Sequence, residues 1–271
     1  EYMYVDNNIM VNIIIYVAQG KGKYKIESLS AVTLPGALTI IKEAFCQDEA
    51  VSTGAEVNKN PVAAEELLEL CADAALDGVS LVAVEKNSGE VAAVAFNKIQ
   101  VASTDPSEKP FFEIFAEERC TQESSRSLIN FMADVDGRCN LFEKYGADCS
   151  LEIMFLATSR DHRRQKLGYI LSKTSIDLAK KLKNGPVSKI TLQDLGPKYS
   201  SMKPRSVSDK IPKICQAIWT AEISQRIGKA LNFTVHLTVP MKEFVFNGKT
   251  YADRLGDQNA FIEVAALPLH T

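Results

Sequence analysis

The sequence predicts an α/β fold, in which helices flank a sheet, and three observations lead to this prediction. A short apolar run over residues 151–157 is typical of a strand that is covered on both faces. A charged loop follows it and leads into a long stretch with apolar residues at helical spacing. Helix-like and strand-like stretches also succeed one another along the 271 residues, enough for one sizeable core.

Seven stretches carry strand patterns, because they alternate apolar and polar residues or form short apolar runs. The Asn-Ser-Gly turn at residues 87–89 predicts a hairpin, and the Asn-Gly turn at residues 247–248 predicts a smaller one. The predicted strands cover residues 24–30, 79–86, 91–99, 151–157, 213–219, 233–239 and 261–266.

Five stretches show apolar residues at helical spacing between capping signals. Thr33 and Asn60 are suitable N-caps, and a proline that the first helical turn tolerates follows each of them. The predicted helices cover residues 34–49, 61–76, 127–135, 167–183 and 222–231, with a short helical piece near residue 141. A polar loop is expected over residues 50–59 and an inserted surface loop over residues 196–212.

Composition narrows the possible partners and surroundings. A formal net charge of -3 does not favour nucleic acid, and the six cysteines show no paired spacing typical of a zinc site. We expect free, buried thiols in a reducing, cytoplasmic compartment and no bound metal. Residues 9–17 are apolar but too short to span a membrane and lack a basic leader, so an added strand or a partly ordered extension is expected there.

The loop before the central helix is a candidate anion site. Arg163, Arg164 and Lys166 precede Leu167, where the helix is predicted to begin. The backbone N–H groups and the dipole at a helix N-terminus suit a phosphate group. A basic loop that is only solvated is the alternative interpretation.

The same loop resembles a known family. Residues 163–168, Arg-Arg-Gln-Lys-Leu-Gly, are similar to the acetyl-CoA pyrophosphate loop of the GNAT acetyltransferases, Arg/Gln-x-x-Gly-x-Gly/Ala. Arg163 and Gly168 match its first and last positions, and Lys166 replaces the middle glycine. The order of elements over residues 24–266 also matches that fold. The resemblance implies one GNAT domain over residues 24–271 after an extension over residues 1–23. It also implies a mixed, mostly antiparallel sheet with a splay between the central strand and the next one.

Three local features are most similar to the insect arylalkylamine, or dopamine-type, N-acetyltransferases. Residues 45–49 resemble that group's Phe-Phe-x-Asp-Glu-Pro segment, with Ala50 in place of the proline. A long insertion at about residues 195–213 precedes the next core strand. Residues 219–233 resemble the group's Ser-x-x-x-Ser-x-(Arg/Lys)…Lys-Leu-Gly-Phe segment, in which Thr220 and Ser224 take the two serine positions.

The resemblance implies that a monomer transfers an acetyl group from acetyl-CoA to the primary amine of a small arylalkylamine such as dopamine, tyramine, octopamine or serotonin. It implies Glu49 as the general base, with a pKa that desolvation would raise. Thr220 and Ser224 are the implied hydroxyls near the thiol and the acetyl group, and backbone N–H groups at the end of the central strand would polarise the carbonyl. The implied cofactor-binding residues are Phe155, Leu156, Ala157, Arg163, Arg164, Gln165, Lys166, Leu167, Gly168 and Tyr169.

The residues alone leave other roles open. Glu49 would otherwise be a surface acid, Thr220 a helix cap and Ser224 an ordinary helix position. His162 is expected as a solvated surface histidine, and Tyr169 faces either the core or the cofactor. The alternative functions are a non-catalytic CoA-binding module and an acetyltransferase for polyamines or other small amines. A nucleotide-binding fold is disfavoured, because no Gly-rich loop follows the first strand.

Overall fold

Eight strands form one sheet in the computed structural model, which describes residues 14–16, 22–105, 107–184, 190–205, 210–256 and 260–269. In chain order the strands are β1 (Ile14–Tyr16), β2 (Tyr24–Ser28), β3 (Leu81–Glu85), β4 (Val91–Val101), β5 (Cys149–Thr158), β6 (Ile214–Trp219), β7 (Thr234–Pro240), β8 (Val245–Phe246), β9 (Lys249–Thr250) and β10 (Phe261–Pro268). The order across the large sheet is β1-β2-β3-β4-β5-β6-β10-β7, and β8 and β9 form a separate hairpin at the predicted Asn-Gly turn. Most of the predicted N-terminal extension lies outside the described residues.

The sheet is mixed and mostly antiparallel, which confirms the predicted fold class. Among the described strands of this sheet, β5 and β6 form the parallel pair, and the other neighbours are antiparallel. The parallel pairing joins residues 150–152 to residues 214–216, and β5 then runs on to Thr158 without β6 as its neighbour. The sheet therefore splays between its central strand and the next one, as the sequence predicts.

A bulge lies on β5 just beyond the point where the splay begins. Phe155 pairs with Phe96 and Ile153 pairs with Asn97, so Met154 is the extra residue on β5. Bulges bend a strand and increase its twist. Here the bend falls where the two parallel strands separate, so it helps to open the gap between them.

Helices cover both faces of the sheet. They are α1 (Leu34–Ile40), α2 (Cys46–Asp48), α3 (Ala50–Gly54), α4 (Pro61–Ala75), α5 (Phe111–Arg119), α6 (Glu123–Gly137), α7 (Leu141–Tyr145), α8 (Leu167–Lys181), α9 (Leu192–Leu195), α10 (Glu222–Ala230) and α11 (Tyr251–Leu255). One core lies between the sheet and α1, α4 and α6, and the other lies beneath α8. The bulge at Met154 explains why β5 contributes to both cores, because an extra residue reverses the alternation of side chains. Leu151 and Ile153, before the bulge, face α8, whereas Phe155 and Ala157, after it, face the opposite layer.

Three parts of the chain differ from the sequence-based expectations. The expected loop over residues 50–59 contains α3 and a short 3₁₀ turn, because Glu49 caps a new helix. Helix α5 was not predicted, although Phe112, Phe115 and Ala116 are buried at helical spacing. The charged residues between these apolar ones make the helical spacing of α5 hard to recognise in the sequence.

The expected surface loop over residues 196–212 is partly packed on the domain. Tyr199 and Met202 are buried, and Arg205 binds the carboxylates of Asp73 and Asp77. Residues 206–209 lie outside the described part of the chain. The buried Tyr199 and Met202 and the two ion pairs of Arg205 therefore hold the first half of this insertion against the domain.

The six cysteines are all free and buried, which confirms the expected state of the thiols. All except Cys149 belong to the two apolar cores, where a small hydrophobic residue is favourable. Within the described residues, no helix is long and apolar enough to cross a membrane.

Candidate active site

Glu49 lies at an abrupt turn between two short helices. The chain leaves α1 through a wide π turn, Ile41–Phe45, and α2 ends at Asp48. Glu49 is extended, with φ -74° and ψ 145°, and its carboxylate caps α3 by accepting from the Ser52 N–H across 2.7 Å. π turns often occur at functional sites, and this one lies directly ahead of α2 and the half-buried Glu49.

Thr220 supplies the second partner of the Glu49 carboxylate. Its hydroxyl donates to Glu49 Oε1 across 2.7 Å. Thr220 directly follows Trp219, the last residue of β6, and therefore lies beyond the point where β5 and β6 separate. Two predicted site residues thus meet at the open end of the splay. The cap proposed as an alternative for Thr220 is wrong, because Ala221 occupies the N-cap of α10.

Ser224 uses its hydroxyl locally. It donates to the Ala221 carbonyl across 2.8 Å and accepts from the Ala221 N–H across 3.2 Å. These bonds satisfy polar groups at the start of α10, as an N3 side chain that folds back on the cap does. Ser224 lies one turn from Thr220, and its described hydrogen bonds are to Ala221.

Cys46, three residues before Glu49, is not suited to act as a nucleophile. Its side chain is fully buried, and burial raises the pKa of the thiol to about 12. The reactive form of cysteine is the thiolate. At neutral pH this thiol therefore stays protonated.

The loop between β5 and α8, residues 159–166, has the backbone shape of a glycine-rich turn without the glycines. Arg164 and Lys166 have φ of 64° and 59°, in the left-handed region. Lys166 stands where the family pattern has glycine, and the structure shows why glycine suits that position. Non-glycine residues adopt this conformation at a cost of about 1–2 kcal/mol.

The N-terminus of α8 is open to solvent. Arg163, Arg164, Gln165 and Lys166 are exposed, and no side chain caps the helix start. The first turn therefore presents N–H groups and positive charge together, as a phosphate site requires. Leu167 is buried and fixes the helix from below.

Gly168 lies where α8 approaches α10. A Cβ atom added to Gly168 would lie 3.2 Å from Ile227 Cδ1 and 3.6 Å from Leu156 Cδ2. This close contact explains why Gly168, at the last position of the resembled pattern, carries no side chain. Tyr169 is half-buried and packs against the core beneath α8, so its ring lies on the core side.

The end of β5 forms one wall of the open splay. Beyond Glu152 the strand keeps its pairing with β4, whereas its other edge has no described pairing with β6. Free edges present backbone N–H and C=O groups that need partners. Leu156 and Ala157 lie on this stretch, and Phe155 packs edge-to-face against Phe45 with ring centroids 4.7 Å apart.

Asp48 connects the Glu49 segment to the β5–α8 loop, a link that the sequence analysis missed. It accepts two hydrogen bonds from Arg160, of 2.6 and 3.0 Å, and one of 2.5 Å from Arg163. The hydrogen bond from Arg160, followed by that from Arg163, lowers the pKa of the Asp48 carboxyl below its usual 3.8. Both arginines lie in the charged loop and Asp48 in the matched segment, but nothing in the sequence pairs them.

His162 was wrongly expected on the surface. It is 8% exposed, and its Nδ1 shares a 2.9 Å hydrogen bond with the buried Tyr24 hydroxyl. Among the described residues, no group of histidine, cysteine and acidic side chains could hold a metal ion.

No protein-family model matches the sequence, and no curated protein matches it either. Solved structures do match. Arylalkylamine N-acetyltransferase 2 from Aedes aegypti aligns with a TM-score of 0.68 and 18% identity over 91% of this chain and 99% of its own. A polyamine N-acetyltransferase from Drosophila melanogaster aligns with a TM-score of 0.65 and 13% identity over 90% of this chain and 99% of its own.

A mosquito arylalkylamine N-acetyltransferase-like protein, 5b, gives a TM-score of 0.62 and 12% identity over 90% of this chain and 99% of its own. Identities this low establish likeness of fold. Together with the splayed sheet and the loop before α8, they show that this chain has the fold of the GNAT N-acetyltransferases.

Proposed function

We propose that this protein is an acetyl-CoA-dependent N-acetyltransferase that acts on the primary amine of a small arylalkylamine. The observation that carries the proposal is the contact between Glu49 and Thr220 at the open end of the splay. The hydrogen bonds of the neighbouring Asp48 to Arg160 and Arg163 support a position of this carboxylate close to the β5–α8 loop. An acid, a thioester groove and a phosphate site are the parts that amine acetylation needs.

The residues present suit acetyl-CoA as a co-substrate. The uncapped N-terminus of α8, with Arg163, Arg164 and Lys166 around it, would hold the diphosphate. The free edge of β5 at Leu156 and Ala157 would hydrogen-bond the pantetheine arm, and N–H groups there would polarise the thioester carbonyl. Arg163 already donates a hydrogen bond to Asp48, so the diphosphate and the Asp48 carboxylate would compete for the Arg163 guanidinium.

Glu49 would act as the general base. It would take a proton from the substrate ammonium, directly or through water, and the freed nitrogen would attack the thioester carbonyl carbon. The carbon–sulfur bond then breaks and the sulfur leaves with its electron pair. The nitrogen loses its second proton as the amide forms, and that proton balances the one that the thiolate takes up. Thr220 and Ser52 hold the two carboxylate oxygens, which limits rotation of the base and fixes its direction.

The aryl preference rests on Phe45, which is half-buried four residues before Glu49 and contacts Phe155. A partly exposed aromatic residue four positions before the candidate base would suit the ring of a phenylethylamine or an indolylethylamine. A polyamine remains the second substrate class, since one solved structure with this fold is a polyamine N-acetyltransferase. The six reduced thiols favour a reducing compartment such as the cytoplasm.

A thiol-release assay with acetyl-CoA tests the proposal. The panel contains tyramine, dopamine, octopamine, serotonin, putrescine and spermidine, and we expect the aryl amines to give the highest kcat/KM. Glu49→Gln should lower kcat by about 10²–10⁴-fold while CoA binding persists. Glu43→Gln is the matched control, because Glu43 is an exposed acid in the preceding π turn.

Two results would contradict this proposal. Absence of thiol release with every amine, in protein that binds CoA, would favour the non-catalytic CoA-binding module. Glu49→Gln with unchanged turnover would show that another group is the base.

A further inference from the structure

His162 is the buried side chain of the β5–α8 loop. Of residues 159–166, Ser159 is half-buried and the remaining six are exposed, whereas His162 is 8% exposed. The loop therefore carries one inward-facing side chain ahead of the helix. Leu167, immediately after the loop, is the next buried residue.

The His162 ring is contacted by residues from two distant parts of the chain. The Tyr24 hydroxyl shares a 2.9 Å hydrogen bond with Nδ1, and the two rings meet edge-on with centroids 5.7 Å apart. Tyr24 begins β2 and is itself 4% exposed. On the other side, Nε2 lies 3.9 Å from a carboxylate oxygen of Glu90, which precedes β4.

The contacts of His162 hold a loop whose backbone is strained at two residues. Arg164 and Lys166 both have left-handed backbones, and such conformations persist only where the surrounding structure enforces them. The side chains from Arg163 to Lys166 are exposed and bury little surface that could hold the backbone. The loop is instead held by the buried His162 and Leu167 and by the Asp48 carboxylate, which binds Arg160 and Arg163.

We propose that His162 is a positioning residue that holds the β5–α8 loop in its anion-binding shape through Tyr24. The inference rests on the proposed function of that loop. The His162–Tyr24 pair would act on affinity for the diphosphate of CoA and much less on turnover, because Glu49 and Thr220 lie on other elements.

The test measures CoA binding by calorimetry, together with KM for acetyl-CoA and kcat, in four single variants and in the double variant His162→Gln/Tyr24→Phe. His162→Gln and Tyr24→Phe each remove the bond between the two side chains. His162→Asn keeps a polar atom near the position of Nδ1. Asp161→Asn is the control, because Asp161 is the exposed neighbour in the same loop.

We expect His162→Gln and Tyr24→Phe each to weaken CoA binding by about 3–10-fold, the effect of one buried hydrogen bond. KM for acetyl-CoA should rise by the same factor and kcat should stay within about twofold. The double variant should be no weaker than either single one, since both remove one interaction. His162→Asn should recover part of the affinity, and Asp161→Asn should bind as the wild type does.

Additive losses in the double variant, or wild-type affinity in folded Tyr24→Phe protein, would overturn the inference. Tyr24→Phe keeps the ring and therefore serves as the test if His162→Gln does not fold. A wild-type protein that does not bind CoA would instead overturn the proposed function itself, and this inference with it.

Discussion

Thr220 donates its hydroxyl hydrogen to Glu49 Oε1 across 2.7 Å, although 171 residues separate the two in the chain. The Ser52 N–H holds the other carboxylate oxygen at 2.7 Å. A carboxylate held by two donors keeps a single orientation toward the splay. Thr220 therefore orients the candidate base and need not take part in the proton transfer itself.

Thr220→Val should lower kcat/KM by about 10-fold, because a hydrogen bond to a charged group contributes about 1.5–3 kcal/mol and part of that is recovered by solvent. Valine keeps the volume of threonine, so packing at the end of β6 should persist. Thr220→Ser, which keeps the hydroxyl, should retain most of the activity. Thiol-release kinetics across the two variants measure this, and equal loss in both would assign Thr220 a packing role.

Lys166→Gly should stabilise the folded protein by about 0.5–1 kcal/mol, since glycine adopts the left-handed backbone at 59° without strain. Gln165→Gly is the matched control and should destabilise, because residue 165 is not among those with a positive φ. Urea unfolding of both variants provides the comparison. A loss of stability in Lys166→Gly would mean that the lysine side chain holds the loop.

Gly228→Ala should destabilise the protein by about 1–3 kcal/mol, the usual cost of overpacking. A Cβ atom there would lie 2.4 Å from Nε1 of the buried Trp219 and 2.9 Å from its Cε2. Gly137→Ala, where nothing lies within 4 Å of the added atom, should be neutral or slightly stabilising. Thermal and urea unfolding measure both, and equal stability would show that the indole moves freely.

The ion pairs of Asp48 should make a small contribution to stability that acid removes. The Arg160 and Arg163 hydrogen bonds hold the pKa of Asp48 below 3.8, so the folded state binds this proton less readily than the unfolded state. The contribution is therefore complete above about pH 4 and is lost as the pH falls through the lowered pKa. Solvent screens these partly exposed groups, which limits the contribution to about 1 kcal/mol or less.

Asp48→Asn should accordingly be less stable than the wild type by a constant amount between about pH 8 and pH 5, with the difference shrinking below about pH 4. Urea unfolding at several pH values tests this. Asp161→Asn, which alters an exposed acid of the same loop, provides the control. A difference that grows as the pH falls would contradict the assignment.

Much of the architecture follows from local pattern. The apolar run of β5 and the 3.6-residue spacing of α8 are visible in the sequence, as are the Asn60 cap and the Asn-Gly hairpin. These features are predictable because side-chain periodicity and capping involve residues only a few positions apart. The resembled pattern also has a glycine at the position of Lys166, and the structure has a left-handed backbone there.

Other features were decided by tertiary contacts. His162 looks like a solvated loop residue until Tyr24 and Glu90 surround it, and Asp48 looks like a surface acid until two arginines reach it. Helix α5 was missed because its buried aromatic residues are spread among charged ones. The burial of a polar side chain depends on what distant segments bring to it, and no local spacing encodes that.

The sequence by itself predicted the order of the core strands and of the main helices α1, α4, α6, α8 and α10, together with the loop before α8. Its resemblance to a family supplied Glu49, Thr220 and Ser224 as candidates. Only the tertiary structure decided that Thr220 contacts Glu49 while Ser224 bonds the start of its own helix. The physical reason is the range of each interaction. Helical and strand periods depend on residues only a few positions apart. The contact between the Thr220 hydroxyl and the Glu49 carboxylate depends instead on how distant segments meet beyond the point where β5 and β6 diverge.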